Sequence, residues 1–539
     1  MLKYVILSVG SALLTALPVI AADTIYVTFG PWRGSIRIES LETFANDGTI
    51  NNNLRFFLRG LSRQQEEKFR EVLLKPVNVS PLLVSRFFNS AIGQEILTRV
   101  GRGITIQGGR NGKYALRAAI IQASLEPEGL TLLNVLRKFP TNMQLQGEYL
   151  LGLKNTFDRI IQGTNFFTQT MAQLSAQAAQ SNSVNFSQMM DLRQPGQVNF
   201  RQEMITLTDS TRKRTFYVIV YRPEKEPTGK TPVVILSHGL GSRPQDFEAM
   251  AQHLASYGYV VAMPQHPGSD TQQQQAFING FSRQVFDVNE FINRPKDISA
   301  VIDELERRNQ SDFGGRLDLE NVGVIGHSFG GYTALAVAGA QINREYLKSA
   351  CERSFNWLNM SSLLQCTALN LPNTTYQFRD ARVKAVLVKN PFNSIIFGQK
   401  ELEQIQIPVM ITGGNYDPAT PFVLEQVRAF SWLTTPNKYL ALKEGQAHIN
   451  LAQLDAGITQ VIDSIPKLTL AESDLIDNYQ NPLALAFFAV YIANDPQFRP
   501  FLTAAYGEFL SQNEPFKMYL IDSSSQPALQ QALKAFRIF

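Results

Sequence analysis

"NVGVIGHSFGGYTALAVAGA", residues 321–340, decides how the second half of this chain is read. An apolar run suited to a buried strand ends at Gly326-His327, a serine follows, and a continuous apolar segment suited to a buried helix begins at once. A nucleophilic serine at such a turn has to point its hydroxyl out of a sharp bend. Glycines on either side remove the side chains that would strike neighbouring backbone. Ser328 is therefore read as a nucleophile, with Gly326 and Gly330 as the glycines its turn requires. The helix beginning after it aims unpaired N–H groups and a positive dipole end at negative charge developing on a bound substrate.

A serine hydroxyl is a weak nucleophile until a base takes its proton. The chain has five histidines, and His238, His253, His266 and His327 all precede Ser328. Only His448 follows, in "KEGQAHINL", directly after the last strand-like run. Where this nucleophile turn is used, an acid and then a histidine come after the serine, so His448 is the expected base. Asp417, in "GGNYDPATP", follows the strand-like "IPVMITGG" at the carboxyl edge where sites on open sheets collect, and is expected to orient the imidazole. Asp380, the other aspartate in this interval, precedes a strand and so stands at the wrong edge. An oxyanion hole needs two N–H donors. Phe329 supplies one and Leu240 the other, from "SHGLG", whose Gly239 and Gly241 let backbone approach a substrate. His238 and His327 are read as organisers of their turns.

These motifs resemble the α/β-hydrolase superfamily, over roughly residues 200–465. "SHGLG" and "GHSFGG" look particularly like its platelet-activating-factor acetylhydrolase and dienelactone-hydrolase-like branch. The resemblance implies a carboxylic ester hydrolase working through an acyl-enzyme, with no metal or organic cofactor. Plasma-type acetylhydrolases carry their acid after the strand that here reads "VKAVLVKNPFN", where this chain has Lys389 and Asn390. Asp417, one strand later, matches the position used by dienelactone-hydrolase-like and polyester-hydrolase-like enzymes. The N-terminal segment looks like a helical domain of unknown function that precedes such hydrolases in some bacterial exported proteins.

A chain of 539 residues exceeds what one growing core accommodates, so more than one unit is expected. With 44% hydrophobic residues, 18% charged residues and a net charge of +4 it reads as globular, and no nucleic-acid partner is implied. The compact basic run Arg212–Arg214 is read as a solvated hairpin tip. Residues 1–22 have the lysine, apolar stretch and small-residue end of a secretory signal, so an exported protein is expected, with a retained membrane anchor as the alternative. Residues 23–160 read as mainly helical after an opening strand, with a capping box at Ser62 and Gln65. In the helix after it, Phe69, Val72 and Leu73 fall on one face. Residues 161–197, rich in Gln, Ser and Ala, read as a linker or loosely packed helix. Residues 198–539 alternate strands and helices, the α/β pattern of a mostly parallel sheet with an antiparallel start. They carry an insertion at 341–381 and a helical extension at 466–539. The insertion holds both cysteines, Cys351 and Cys366, for which export makes a disulfide the expected state. It is read as a small lid or a plain surface excursion.

The expected substrate is a small-molecule or lipid ester. Contact with a membrane surface and the partner of the N-terminal unit stay open at this level. A thioesterase, peptidase or acyltransferase could use the same residues, and a non-catalytic envelope scaffold is the reading from another class.

Overall fold

A computed structural model describes residues 22–181, 184–225, 229–353, 356–357, 359–448 and 470–536. The expected signal segment lies outside the described residues but for Ala22. The chain divides into two compact units between Asn155 and Thr156.

The first unit combines short helices with strands β1 (Thr24–Phe29), β2 (Trp32–Arg37), β3 (Ile104–Ile106) and β4 (Met143–Gln146). These form a sheet in the order β2-β1-β4-β3, of which the sequence suggested only β1. The capping box forms: Ser62 Oγ accepts from Gln65 N and Gln65 Oε1 accepts from Ser62 N. On that helix Leu73 is buried and Phe69 packs against the core, while Val72 is exposed. Ile25, Phe44, Leu116 and Phe139 belong to the same core.

Helix Gly147–Gln180 takes up residues 161–180 of the segment read as a linker or loosely packed helix, and it is packed rather than loose. Its later turns bury Phe167, Met171, Ser175 and Ala179, and Ser175 Oγ accepts a hydrogen bond from Leu520 N. A composition poor in charge was the mark of a packed helix face there rather than of a solvated tether.

The second unit is built on β5 (Phe200–Asp209), β6 (Arg214–Pro223), β7 (Thr231–Ser237), β8 (Val260–Pro264), β9 (Leu317–His327), β10 (Val383–Lys389), β11 (Val409–Gly414), β12 (Lys438–Lys443) and β13 (Met518–Asp522). Among the described residues they form one sheet in the order β13-β12-β11-β10-β9-β7-β8-β6-β5. From β8 through β7, β9, β10 and β11 to β12 the neighbours run parallel. β5, β6 and β13 are added antiparallel. Strand β8 is buried at every position and β10 at all but Lys384, as helices on both faces require. The C-terminal extension is helical over Ser473–Tyr491, Ala504–Ser511 and Gln526–Phe536, and it also contributes the edge strand β13. "MYLID" is too short and apolar to be told from a helix turn by periodicity.

The basic run is not a solvated tip. Lys213 makes the turn at φ 52°. Arg212 and Arg214 instead fold inward onto the buried Asp297, and Arg214 also pairs with the buried Glu290. Among the described residues no helix is long and apolar enough to cross a membrane.

Candidate active site

Strand β9 ends at His327, and Ser328 stands at φ 55°, ψ −112°, outside the regions open to most L-residues. Such a backbone costs on the order of 1–3 kcal/mol and persists only where its surroundings enforce it. The glycines show how. A Cβ on Gly326 would lie 1.9 Å from Gly330 O, and one on Gly330 would lie 1.9 Å from Ser237 O. The first turn of helix Phe329–Ala338 is thus pressed against both the end of its own strand and the end of β7. Ser328 N donates to Lys389 O at 2.9 Å, tying the turn to β10.

The parallel order brings the carboxyl ends of β7, β9, β10, β11 and β12 to one edge. Ser328 follows β9, Asp417 follows β11 and His448 follows β12, so three residues far apart in the chain meet there. His448 Nε2 lies 2.9 Å from Ser328 Oγ, and His448 Nδ1 lies 2.8 Å from Asp417 Oδ2. Nδ1 donates to the carboxylate, which leaves Nε2 free to accept from the hydroxyl. A proton can leave the serine along this path.

Asp417 is buried, which alone would raise its pKa, but the charge of His448 and hydrogen bonds from His448 and Thr420 hold it below the ordinary carboxylate value. Its oxygens also accept from Asn390 Nδ2 at 2.6 Å, Thr420 Oγ1 at 2.6 Å, and the N–H groups of Ala419 and Thr420. Asp380, by contrast, chelates Arg382 through both oxygens and lies away from this cluster.

Sequence reasoning missed Asn390 and Thr420. Thr420 stands three residues after Asp417, a spacing at which a hydroxyl and an N–H can both return to an aspartate. Asn390 gave a weaker sign: it stands where a related acid could have stood, and only the pairing of β10 with β11 shows that its amide faces Asp417.

The other histidines stay out of the proton path. His327 Nε2 donates to His448 O at 2.8 Å and so anchors the loop that carries the imidazole. Burial pushes the pKa of His327, His238 and His266 well below the ordinary imidazole value. His253, on helix Glu248–Ser256, is also lowered by burial, to about 4.

The loop after β7 lies against the serine: a Cβ on Gly239 would be 3.4 Å from Ser328 Cβ. Gly241 has φ 68°, a conformation that glycine adopts without strain. Leu240 and Phe329 therefore flank Ser328 from the β7 loop and the helix start. Among the described residues no group of three His, Cys, Asp or Glu side chains is placed to hold a metal ion.

The insertion is fastened rather than loose. Cys351 and Cys366 are bonded. The buried Glu425 carboxylate accepts from Asn359 Nδ2, Ser361 Oγ and Gln365 Nε2 of the insertion, and from Asn393 N, Ser394 N and Ser394 Oγ of the loop after β10. Among the apolar residues of the insertion, Leu363 is buried and Met360 is exposed, while Leu358 lies outside the described residues.

Two family models match the chain. That of an alpha/beta hydrolase of unknown function covers residues 21–146, and that of chlorophyllase covers residues 188–351, which include the β7 loop and the Ser328 turn. The chain is a member of the α/β-hydrolase superfamily. The first match falls on the unit without the serine, so in this α/β hydrolase the N-terminal unit and the chemistry-bearing unit are matched separately. No curated protein matches the chain.

Proposed function

We propose that this hydrolase is an exported carboxylic-ester hydrolase that works through a Ser328 acyl-enzyme. The observation that carries the reading is the unbroken hydrogen-bond path from Ser328 Oγ through His448 to Asp417. Ser328 Oγ attacks the ester carbonyl carbon while His448 Nε2 takes the hydroxyl proton. Asp417 keeps the imidazole oriented and stabilises its cationic form. The N–H groups of Leu240 and Phe329 hold the oxyanion, which collapses as His448 returns the proton to the departing alcohol. Water then attacks the acyl-serine by the same steps and frees the acid. The chlorophyllase match, to an ester-hydrolase family, supports an ester over an amide. A small-molecule or lipid ester is the substrate class.

Labelling with a fluorophosphonate probe tests this. Wild type is expected to be labelled and Ser328→Ala to be silent; equal labelling of both, or none of either, overturns the reading. A set of p-nitrophenyl esters of increasing acyl length, with a phospholipid alongside, then ranks the substrates.

A further inference from the structure

The mechanism above leaves unused one cation that is fully buried beside the serine. Arg294 lies on helix Glu290–Asp312 with no exposed surface. Burial pulls its pKa down, to about 10, against the opposing pull of Glu290 and Asp297, so it remains charged at neutral pH. Taking a guanidinium out of water is costly unless its donors are used. Here they are used on backbone: Nη1 donates to His238 O at 2.6 Å and Nη2 to Gly239 O at 3.2 Å. Nε donates to Ser269 Oγ at 2.9 Å, and the guanidinium carbon lies 4.4 Å from the centre of the Phe329 ring.

Every peptide bond described is trans. In a trans peptide the C=O and the following N–H point in opposite directions. With Gly239 O committed to Arg294, and to His238 Nδ1 at 2.8 Å, the N–H of Leu240 is turned the other way. His238 is fixed for this task, since its Nε2 accepts from His266 N and its Nδ1 therefore carries the proton. The same guanidinium lies over the ring of Phe329, the residue that bears the second N–H. One side chain thus bonds the carbonyl of the peptide that carries the Leu240 N–H and lies against the Phe329 ring.

We propose that Arg294 is a positioning residue: its fork on the His238 and Gly239 carbonyls and its plane on Phe329 keep the Leu240 and Phe329 N–H groups aimed at the oxyanion. This rests on the ester-hydrolase reading; the neighbouring ion cluster approaches Arg294 through Glu290 Oε2, 3.9 Å from Nε, while Arg212 is engaged with Asp209, Asn293 O and Asp297. An oxyanion donor out of place typically costs about 10²–10³-fold in kcat.

The test is steady-state hydrolysis of p-nitrophenyl butyrate by full-length wild type, Arg294→Lys and Arg212→Gln, with inhibition by a trifluoromethyl ketone that forms an oxyanion on serine. Arg294→Lys keeps the charge and loses the planar fork. Its kcat is expected to fall about 10²-fold or more with KM within twofold, and the ketone to bind more weakly by a similar factor. Arg212→Gln disturbs the same ion cluster without touching the loop, and is expected to lower the melting temperature and leave kcat within threefold. If Arg294→Lys does not fold, Ser269→Ala, which removes only the Nε partner, takes its place with an expected several-fold loss in kcat at unchanged KM. Unchanged kcat in the folded variant, or equal kcat losses in the Arg294 and Arg212 variants, overturns the proposal alone. Absence of ester turnover in wild type overturns the ester reading and this proposal with it.

Discussion

Asn390 donates a 2.6 Å hydrogen bond to Asp417 Oδ2, the same oxygen that accepts from His448 Nδ1. An amide therefore occupies the place from which a carboxylate would compete with Asp417. Asn390 has φ 43°, a conformation that Asn and Asp both tolerate, so Asn390→Asp isolates the charge from the backbone. Two facing carboxylates cannot both ionise freely, and one retains a proton. Ester turnover by Asn390→Asp at neutral pH is expected to fall at least tenfold in kcat. Asp417→Asn is expected to lose about 10³–10⁴-fold, and Asp380→Asn to stay near wild type.

The depressed pKa of Asp417 also makes it a source of acid sensitivity. A carboxylate whose folded pKa lies below its unfolded value adds stability above the unfolded value, near about 3.9, and that contribution is lost as pH falls through the folded value. Urea unfolding of wild type and Asp417→Asn from pH 7 to pH 2.5 checks this. The stability difference is expected to be constant above about pH 5 and to shift against wild type below about pH 4.

Gly330 has no room for a methyl group, because a Cβ would stand 1.9 Å from Ser237 O. Gly330→Ala is expected to lose fluorophosphonate labelling and to destabilise by about 3 kcal/mol or more, since backbone on both sides must move. Gly152→Ala, with nothing within 4 Å of the added carbon, is the comparison and is expected to gain about 0.5–1 kcal/mol as a helix position. Differential scanning calorimetry reads both.

Glu425 and the disulfide hold the insertion by different means. Closing a loop of 15 residues contributes about 3 kcal/mol, so Cys351→Ser with Cys366→Ser is expected to lower the melting temperature by several degrees. Glu425→Ala removes the acceptor shared by three polar side chains of the insertion and by Asn393 N, Ser394 N and Ser394 Oγ. It is expected to cost more than loss of the disulfide, and Glu425→Gln less than Glu425→Ala.

Lys389 serves the serine turn only through its carbonyl, while burial pulls its ammonium pKa down to about 8. An unfolded lysine keeps its proton to about pH 10.4, so the folded state is penalised below about pH 8 and the penalty fades as pH rises through that window. Lys389→Met, of similar volume, is expected to be stabilised by about 1–3 kcal/mol at pH 7 and by less at pH 10, with ester turnover retained. Urea midpoints at the two pH values check the sign.

Much of the site was legible in the chain because its chemistry is local or scarce. The Ser328 turn announces itself in five consecutive residues, and a single histidine follows it. Short apolar runs between helices implied a parallel sheet, which puts Asp417 and His448 at one edge without any knowledge of distances. Other features depend on which strands are neighbours. Asn390 meets Asp417 because β10 pairs with β11, and Arg212 and Arg214 are buried because a hairpin folds its tip onto helix Glu290–Asp312. The Gln- and Ala-rich segment became a packed helix for the same reason. Composition and periodicity report how one segment prefers to lie. Whether a polar side chain ends in water or on a buried partner is set by contacts between residues distant in sequence, and these only the tertiary structure decides.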